Sequence, residues 1–392
     1  MNLRAYTPTR VLGALNRRRS DLFRKLQYQP QKTTKLRNAV LFESFQGKVI
    51  GDNPLDIFLE LKKRRTDLEF FWTVQKGKTT APAGAKAVVH GSREWLNLLA
   101  TAKYLVNNTS FPWYFRKVAG QVYLQTWHGT PLKRLNRDIP GNNLTASYLN
   151  TMDREASYWN ALISPSKYCT DIFPTAFNYS GKIIESGYPR NDRLVKQPAD
   201  VRARVRKELG VKDDKTWLVL YAPTWRDYNR SATGKWQTVN YIEPNTKLPK
   251  GFQLAFRGHT NTHAAHNSSV AGGAIDVTNY PDVTELYLAA DVLVTDYSSV
   301  MFDFSVTGKP IIFLAPDISE YESKRGFYFD LSAEAPGPIC SNSKEVIAAL
   351  KDIEQVSKSY AGKYKAWQAK FNHLEDGKAA ERVVASLFVA PN

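Results

Sequence analysis

Short apolar runs alternate with helix-patterned segments along most of the chain, and the alternation breaks once before it restarts. "NAVLFES" (38–44), "LEFFWTV" (68–74), "AKAVVH" (85–90), "KYLVNN" (103–108), "QVYLQTW" (121–127), "ALISPS" (161–166) and "KIIESG" (182–187) read as strands. Between several of them lie helix patterns: "NPLDIFLELKKRR" (53–65), with Asn53 as its cap and Pro54 in its first turn, "SREWLNLLATA" (92–102) and "KYCTDIFPTAF" (167–177). Strands alternating with helices imply parallel sheets built from right-handed crossovers. The charged stretch 188–210 reads as a linker followed by a helix. Alternation then resumes with "TWLVLYAPTW" (216–225), "FQLAFRGH" (252–259), "AIDVTN" (274–279), "DVLVTD" (291–296) and "KPIIFLA" (309–315), and the tail from Ser341 reads as helices. The fold class is α/β, two Rossmann-like domains over 38–195 and 196–392 with a cleft between them, the second carrying C-terminal helices.

Residues 1–37 form a basic arm with ten Lys or Arg and one acid, Asp21, so it holds about half of the chain's net charge of +17. Val11, Leu12, Leu15, Leu22, Phe23 and Leu26 fall at helical spacing in it, among Arg17, Arg18, Arg19, Arg24 and Lys25. Two readings stand: a helix lying on an anionic membrane, or a helix docked on its own domain with a solvated basic face. No recognition motif points to nucleic acid. No apolar run has the length of a membrane span, and no secretory signal is expected. Two cysteines, Cys169 and Cys340, fit a reducing cytosol rather than a disulfide framework.

In open α/β sheets ligands bind beyond the carboxyl ends of the strands, so the polar residues there carry the weight. In "TWHGTPLKRL" a strand ends at His128, and Gly129 lets backbone come close to a ligand. Lys133 and Arg134 follow. A neutral imidazole there can take a proton from a hydroxyl; the plainer reading is a histidine bonded to backbone at a turn. "YAPTWRD" offers Thr224 and Arg226, the latter either a two-pronged phosphate contact or a surface partner of Asp227. "FRGH" offers Arg257 and His259, on opposite faces of a strand end. His259, His263 and His266 lie in a polar loop with no carboxylate or cysteine, so no zinc site is expected. "LVTDYSSVMFDF" ends a strand at Thr295 and Asp296, with Ser298 as the cap of the next helix and Ser299 beside it, a hydroxyl-rich anion site or simple capping. The chain has no G-x-x-x-x-G-K-[ST] loop, no G-x-G-x-x-G fingerprint and no D-x-D. Any diphosphate would be met by cations, hydroxyls and backbone N–H groups.

The segments "TWHGTPLKRL", "GYPRND", "YAPTWRD", "FRGH" and "DVTELYLAADVLVTDYSSVMFDFSVTGKPIIF", in this order and spacing, resemble the CDP-glycerol glycerophosphotransferase family, the teichoic acid primases and polymerases, over roughly residues 38–380. The resemblance implies a GT-B-like fold with an acceptor domain over 38–195 and the CDP-donor domain over 196–392. It implies transfer of glycerol phosphate from CDP-glycerol to a hydroxyl of a polyprenyl-diphosphate-linked glycan or teichoic acid, with release of CMP. His128 would be the catalytic base and His259 the second catalytic histidine, at the donor pyrophosphate. Ser298, Ser299, Thr224, Arg226 and Asp296 would bind that pyrophosphate, with Gly129, Lys133, Arg190 and Arg257 as further cleft candidates. No cofactor and no resident metal are implied, and the need for a divalent cation is left open. The implied place is cytoplasmic, peripheral on the inner face of the cell membrane, with an anionic membrane surface and no nucleic acid as partner. Its length resembles the priming or short-chain enzymes. Asn136 stands where many members have glycine, and Gly258 replaces a bulkier residue. Two other readings remain: CDP-ribitol or another CDP-polyol as donor in wall or capsular polymer synthesis, and a non-catalytic basic protein that binds anionic polymer or membrane.

Overall fold

A computed structural model describes residues 19–33, 35–142, 144–224, 242, 246–258 and 273–388. Seven strands form the first sheet: β1 (Arg37–Glu43), β2 (Glu69–Val74), β3 (Lys86–Val89), β4 (Ala102–Asn107), β5 (Val122–Gln125), β6 (Ala161–Ser164) and β7 (Lys182–Glu185). Their order is β3-β2-β1-β4-β5-β6-β7, and every pairing is parallel. The second sheet holds β8 (Trp217–Ala222), β9 (Phe252–Phe256), β10 (Ile275–Asp276), β11 (Val292–Thr295), β12 (Ile311–Leu314) and β13 (Ile339–Cys340). Its order is β10-β9-β8-β11-β12-β13, again all parallel. The twelve expected strands are all present, most trimmed at their ends, with β1 and β4 beginning one residue earlier than expected. β13 was not anticipated.

Both sheets are covered on both faces, as parallel sheets require. Along β1, Ala39 and Leu41 point into one buried cluster while Val40 and Phe42 point into another. Along β8, Leu218, Leu220 and Ala222 alternate in the same way with Val219 and Tyr221. A period of two thus gives a run that is apolar throughout, because each face has its own core. In each sheet the strand order turns at one point, between β1 and β4 in the first and between β8 and β11 in the second.

Three particulars differ from expectation. The first long helix spans Asp52–Arg64 with Gly51 as its N-cap, so Asn53 does not cap it. Asn53 is buried and accepts the Arg190 N–H instead (3.3 Å). The last helix, Ala379–Leu387, assigned from sequence to the C-terminal half, packs on the first sheet. Its Val383 and Val384 lie in the cluster of Val40, Phe42, Ile57 and Phe58. Its first N–H groups, of Ala379 and Ala380, are taken by the Asp192 carboxylate (2.8 and 3.0 Å). The third, at the serines after β11, belongs to the site. Two parallel α/β sheets with facing strand ends make a GT-B-like arrangement, as the resemblance implied.

Candidate active site

β5 stops at Gln125, before the run of apolar residues does, because the chain turns out of the sheet. The Gln125 side chain accepts the Trp127 N–H (2.9 Å), and Trp127 holds a φ of 50°. That turn delivers His128 to the crevice between β4 and β1. Its Nδ1 lies 2.7 Å from the Asn108 carbonyl oxygen just past β4. A carbonyl only accepts, so Nδ1 carries the proton and Nε2 the free lone pair. The ring packs on Trp127 (4.2 Å between centroids) and Phe45 (5.5 Å). Burial pushes the His128 pKa below its ordinary value; the Asn108 carbonyl and Asp52 act the other way, and Arg190 adds to the lowering. The group is a neutral imidazole at neutral pH.

Phe45, Asp52 and Trp127 surround this histidine with φ values of 47°, 61° and 50°. Left-handed backbone at such residues costs roughly 1–3 kcal/mol each and persists where the surroundings enforce it, commonly at functional sites.

Across the cleft the second sheet presents its own turning point. β8 ends at Ala222 and Thr224 follows; β11 ends at Thr295 and Asp296 follows. The Thr224 N–H donates to Asp296 Oδ1 (2.8 Å), which also accepts the Tyr297 N–H (2.6 Å), so the two strand ends are tied together. The helix after β11 is short, Val300–Phe304, and its N-cap is Ser299, not Ser298. The Ser299 side chain makes no cap hydrogen bond, so simple capping does not account for it. The half-buried Ser299 lies directly against Gly129. A Cβ at Gly129 would stand 2.8 Å from Ser299 Oγ and 3.0 Å from its Cβ. The two turning points therefore face each other, with His128–Gly129 on one wall and Ser298–Ser299 on the other.

Other candidates have structural employment. Lys133 forms a strand-like bridge with Phe327, its ammonium 5.7 Å from the Tyr321 ring centroid. The Arg257 Nη1 donates to the carbonyls of Val277 (3.0 Å) and Tyr280 (2.9 Å), so that nitrogen is engaged with backbone. Arg190 is 4% exposed and paired with Asp52 (2.7 Å) and Asp303 (2.9 Å), a buried bridge between the two halves. Arg226, His259, His263 and His266 lie outside the described residues. Among the described residues, no group of three or more His, Cys, Asp or Glu is placed to hold a metal ion.

The sequence reading missed Asn108, Asp52 and Phe45. Asn108 had a visible signal, a second asparagine just past a strand's carboxyl end. Asp52 gave none, since its partners lie 56 positions away at Asn108 and 138 away at Arg190.

The family model for CDP-Glycerol:Poly(glycerophosphate) glycerophosphotransferase matches residues 25–389. The chain is 38% identical over 370 residues to a teichoic acid poly(glycerol phosphate) polymerase of Bacillus subtilis (strain 168), covering 90% of this chain and 49% of that one. It is 37% identical to a teichoic acid glycerol-phosphate transferase of Staphylococcus aureus (strain NCTC 8325 / PS 47), covering 93% of this chain and 95% of that protein. This chain thus spans about half the length of the Bacillus polymerase and nearly all of the Staphylococcus transferase. The solved structure of the wall teichoic acid polymerase TagF superposes with a TM-score of 0.86 at 33% identity, covering 97% of this chain and 96% of that one. Facing strand ends, a neutral histidine between them and a family match across nearly the whole described chain agree: the chain belongs to the CDP-glycerol:poly(glycerophosphate) glycerophosphotransferase family.

Proposed function

We propose that this protein transfers glycerol phosphate from CDP-glycerol to a hydroxyl of a teichoic acid or lipid-linked glycan acceptor and releases CMP. The observation that carries it is His128: neutral, its Nδ1–H bound to the Asn108 carbonyl, on the wall opposite Ser299. Nε2 takes the acceptor's proton. The acceptor oxygen forms its bond to the β-phosphorus as the bond from that phosphorus to the bridging oxygen breaks, and CMP departs with the electron pair. Ser298 and Ser299 are the hydroxyl donors to the pyrophosphate, with Thr224 and Asp296 holding the adjoining loop. Arg226 and His259 carry the charge-stabilising roles that the family resemblance gives them. In phosphoryl transfer, positioning and charge stabilisation supply most of the rate.

His128→Ala tests the reading. CMP release from CDP-glycerol in the presence of acceptor falls on the order of 10²- to 10⁴-fold, with an unchanged melting curve. Turnover at the wild-type rate in the folded variant overturns it. A panel of CDP-glycerol and CDP-ribitol, with products weighed by mass spectrometry, fixes the donor.

The protein works at an anionic membrane face, where a lipid-linked acceptor resides. The support is the helix over 19–27. Tyr28 at its end anchors it, buried and donating its hydroxyl to the Arg116 carbonyl (2.7 Å). Yet Leu22, Phe23 and Leu26 are 53%, 62% and 74% exposed, near the half-exposed Trp113 under Lys25. Apolar side chains outward among Arg19, Arg24 and Lys25 suit a headgroup interface. Among the described residues, no helix is long and apolar enough to cross a membrane.

A further inference from the structure

We propose that Asp52 is a positioning residue of the transfer: through Asn108 it fixes His128, and through Arg190 and Asp303 it ties that orientation to the strand end bearing Ser298 and Ser299. The proposal rests on His128 as the base.

The links are continuous. The Asn108 amide is fully occupied: Oδ1 accepts the Phe45 N–H (2.9 Å), and Nδ2 donates to Ser44 Oγ (3.2 Å) and Asp52 Oδ2 (3.1 Å). A side chain pinned at three points pins its own backbone, and that backbone carries the carbonyl that orients His128. Asp52 opens the helix Asp52–Arg64 in left-handed backbone and turns its other oxygen, Oδ1, to Arg190 Nη1 (2.7 Å). Arg190 then spends Nη2 on both oxygens of Asp303 (3.0 and 2.9 Å). Asp303 sits in the short helix that begins immediately after Ser299. The chain of contacts therefore runs from the base in one half to the serines in the other.

Burial gives these links force. The side chains of Asp52, Arg190 and Asp303 are 10%, 4% and 7% exposed. Removing one member of a buried, hydrogen-bonded charge set leaves the others uncompensated, so the set holds one arrangement. Among the described residues, the charged groups acting on His128 are Asp52 and Arg190, of opposite sign.

A second bridge serves as the control. Arg193 donates Nε to Asp56 (3.0 Å) in the first half and Nη1 to Asp282 (2.7 Å) in the second. It joins the same two halves, from the same linker, through Asp56 and Asp282 rather than through Asn108 or His128. If Asp52 only held the halves together, Asp56 would be its equal.

The experiment compares Asp52→Asn, Asp56→Asn and Asn108→Ala by melting curve and by CMP release across pH. For Asp52→Asn, kcat falls on the order of 10- to 100-fold while KM for CDP-glycerol stays near wild type. Loss of the negative charge, with Arg190 still positive, lowers the His128 pKa further, so the acid limb of the kcat profile moves to lower pH. Asp56→Asn lowers the melting temperature and leaves kcat and the acid limb in place. Asn108→Ala keeps both bridges and all charges; its kcat falls with the limb unmoved, and it decides the matter should Asp52→Asn not fold. Wild-type kcat in either Asp52→Asn or Asn108→Ala overturns the proposal. So do equal kcat losses in Asp52→Asn and Asp56→Asn with an unmoved limb. Should His128→Ala keep its activity, the base assignment itself fails, an outcome distinct from these.

Discussion

Gly129 has an ordinary backbone, so its lack of a side chain answers to space rather than to φ. The space is that taken by Ser299 from the other sheet. Gly129→Ala places a methyl where Ser299 must yield, either by rotating its hydroxyl away or by opening the cleft by a few tenths of an ångström. Because the clash lies between the walls and not in either core, the variant folds with a melting temperature close to wild type. Its CMP release falls on the order of ten-fold or more, since small displacements at a reacting centre are expensive. Unchanged turnover would remove Ser299 from the site. Asn136 shows the opposite case. Its φ is 37°, in the region where glycine is least strained and asparagine is tolerated. The asparagine thus meets a backbone demand that a glycine would also meet. Gly258 is a matter of space again: a Cβ would meet Thr278 Oγ1 at 3.2 Å and the Phe256 ring at 3.3 Å, so a bulkier residue needs those neighbours moved.

Among the elements, the helix over 19–27 carries the prediction. Its apolar residues face outward, so replacing Leu22, Phe23 and Leu26 together by serine leaves the core intact and the fold stable. Binding to vesicles containing anionic phosphatidylglycerol, measured by co-sedimentation, drops sharply in that variant. Equal sedimentation of variant and wild type would count against the membrane reading. The central strands were legible because they are buried on both faces, which writes a run of apolar residues into the sequence, and the more exposed β3, β7 and β10 by their short β-prone segments. β13 was not: Ile339–Cys340 is two residues long and follows the turn-like "APGP", whereas the equally short β10 lies within the longer segment "AIDVTN". The last helix shows a further limit. Its amphipathic pattern announces a buried face but not which sheet covers it, and the partner lies in the first half through Val383, Val384 and Asp192. His128 was legible at a strand end. Arg190 was legible as a cleft candidate, but sequence shows its charge and not the two carboxylates that meet it from remote segments.

For the whole molecule, the titration balance sets stability apart from activity. Burial pushes the carboxyls of Glu43 and Glu155 up to about 7 and that of Glu375 up to about 8. Their bonded neighbours are neutral donors: Trp95 for Glu43, Phe111 N–H and Tyr123 for Glu155, Tyr188 N–H and Asn191 for Glu375. The folded chain therefore holds protons that the unfolded chain, with glutamates near ~4.3, has released. That contribution is complete in acid and is lost as pH rises through about 7 to 8. Two histidines act in the opposite sense. His90 is lowered by burial to about 4 and His128 is lowered as well, so their contribution is present above ~6.5 and lost as pH falls below it. Lys309, lowered by burial to about 8, also favours the fold as pH rises past that value. Between about pH 6.5 and about pH 8 the carboxyls dominate: the three glutamates, joined by Asp56, which burial also raises to about 7, outweigh one lysine only half titrated at the upper end. The melting temperature is therefore a few degrees higher at about pH 6.5 than at about pH 8, and Glu375→Gln removes much of that slope. Catalysis does not follow it, because His128 stays neutral throughout the interval and no loss of base occurs there. A melting temperature that is flat or rises from about pH 6.5 to about pH 8 would show that these carboxyls are ionised in the folded protein.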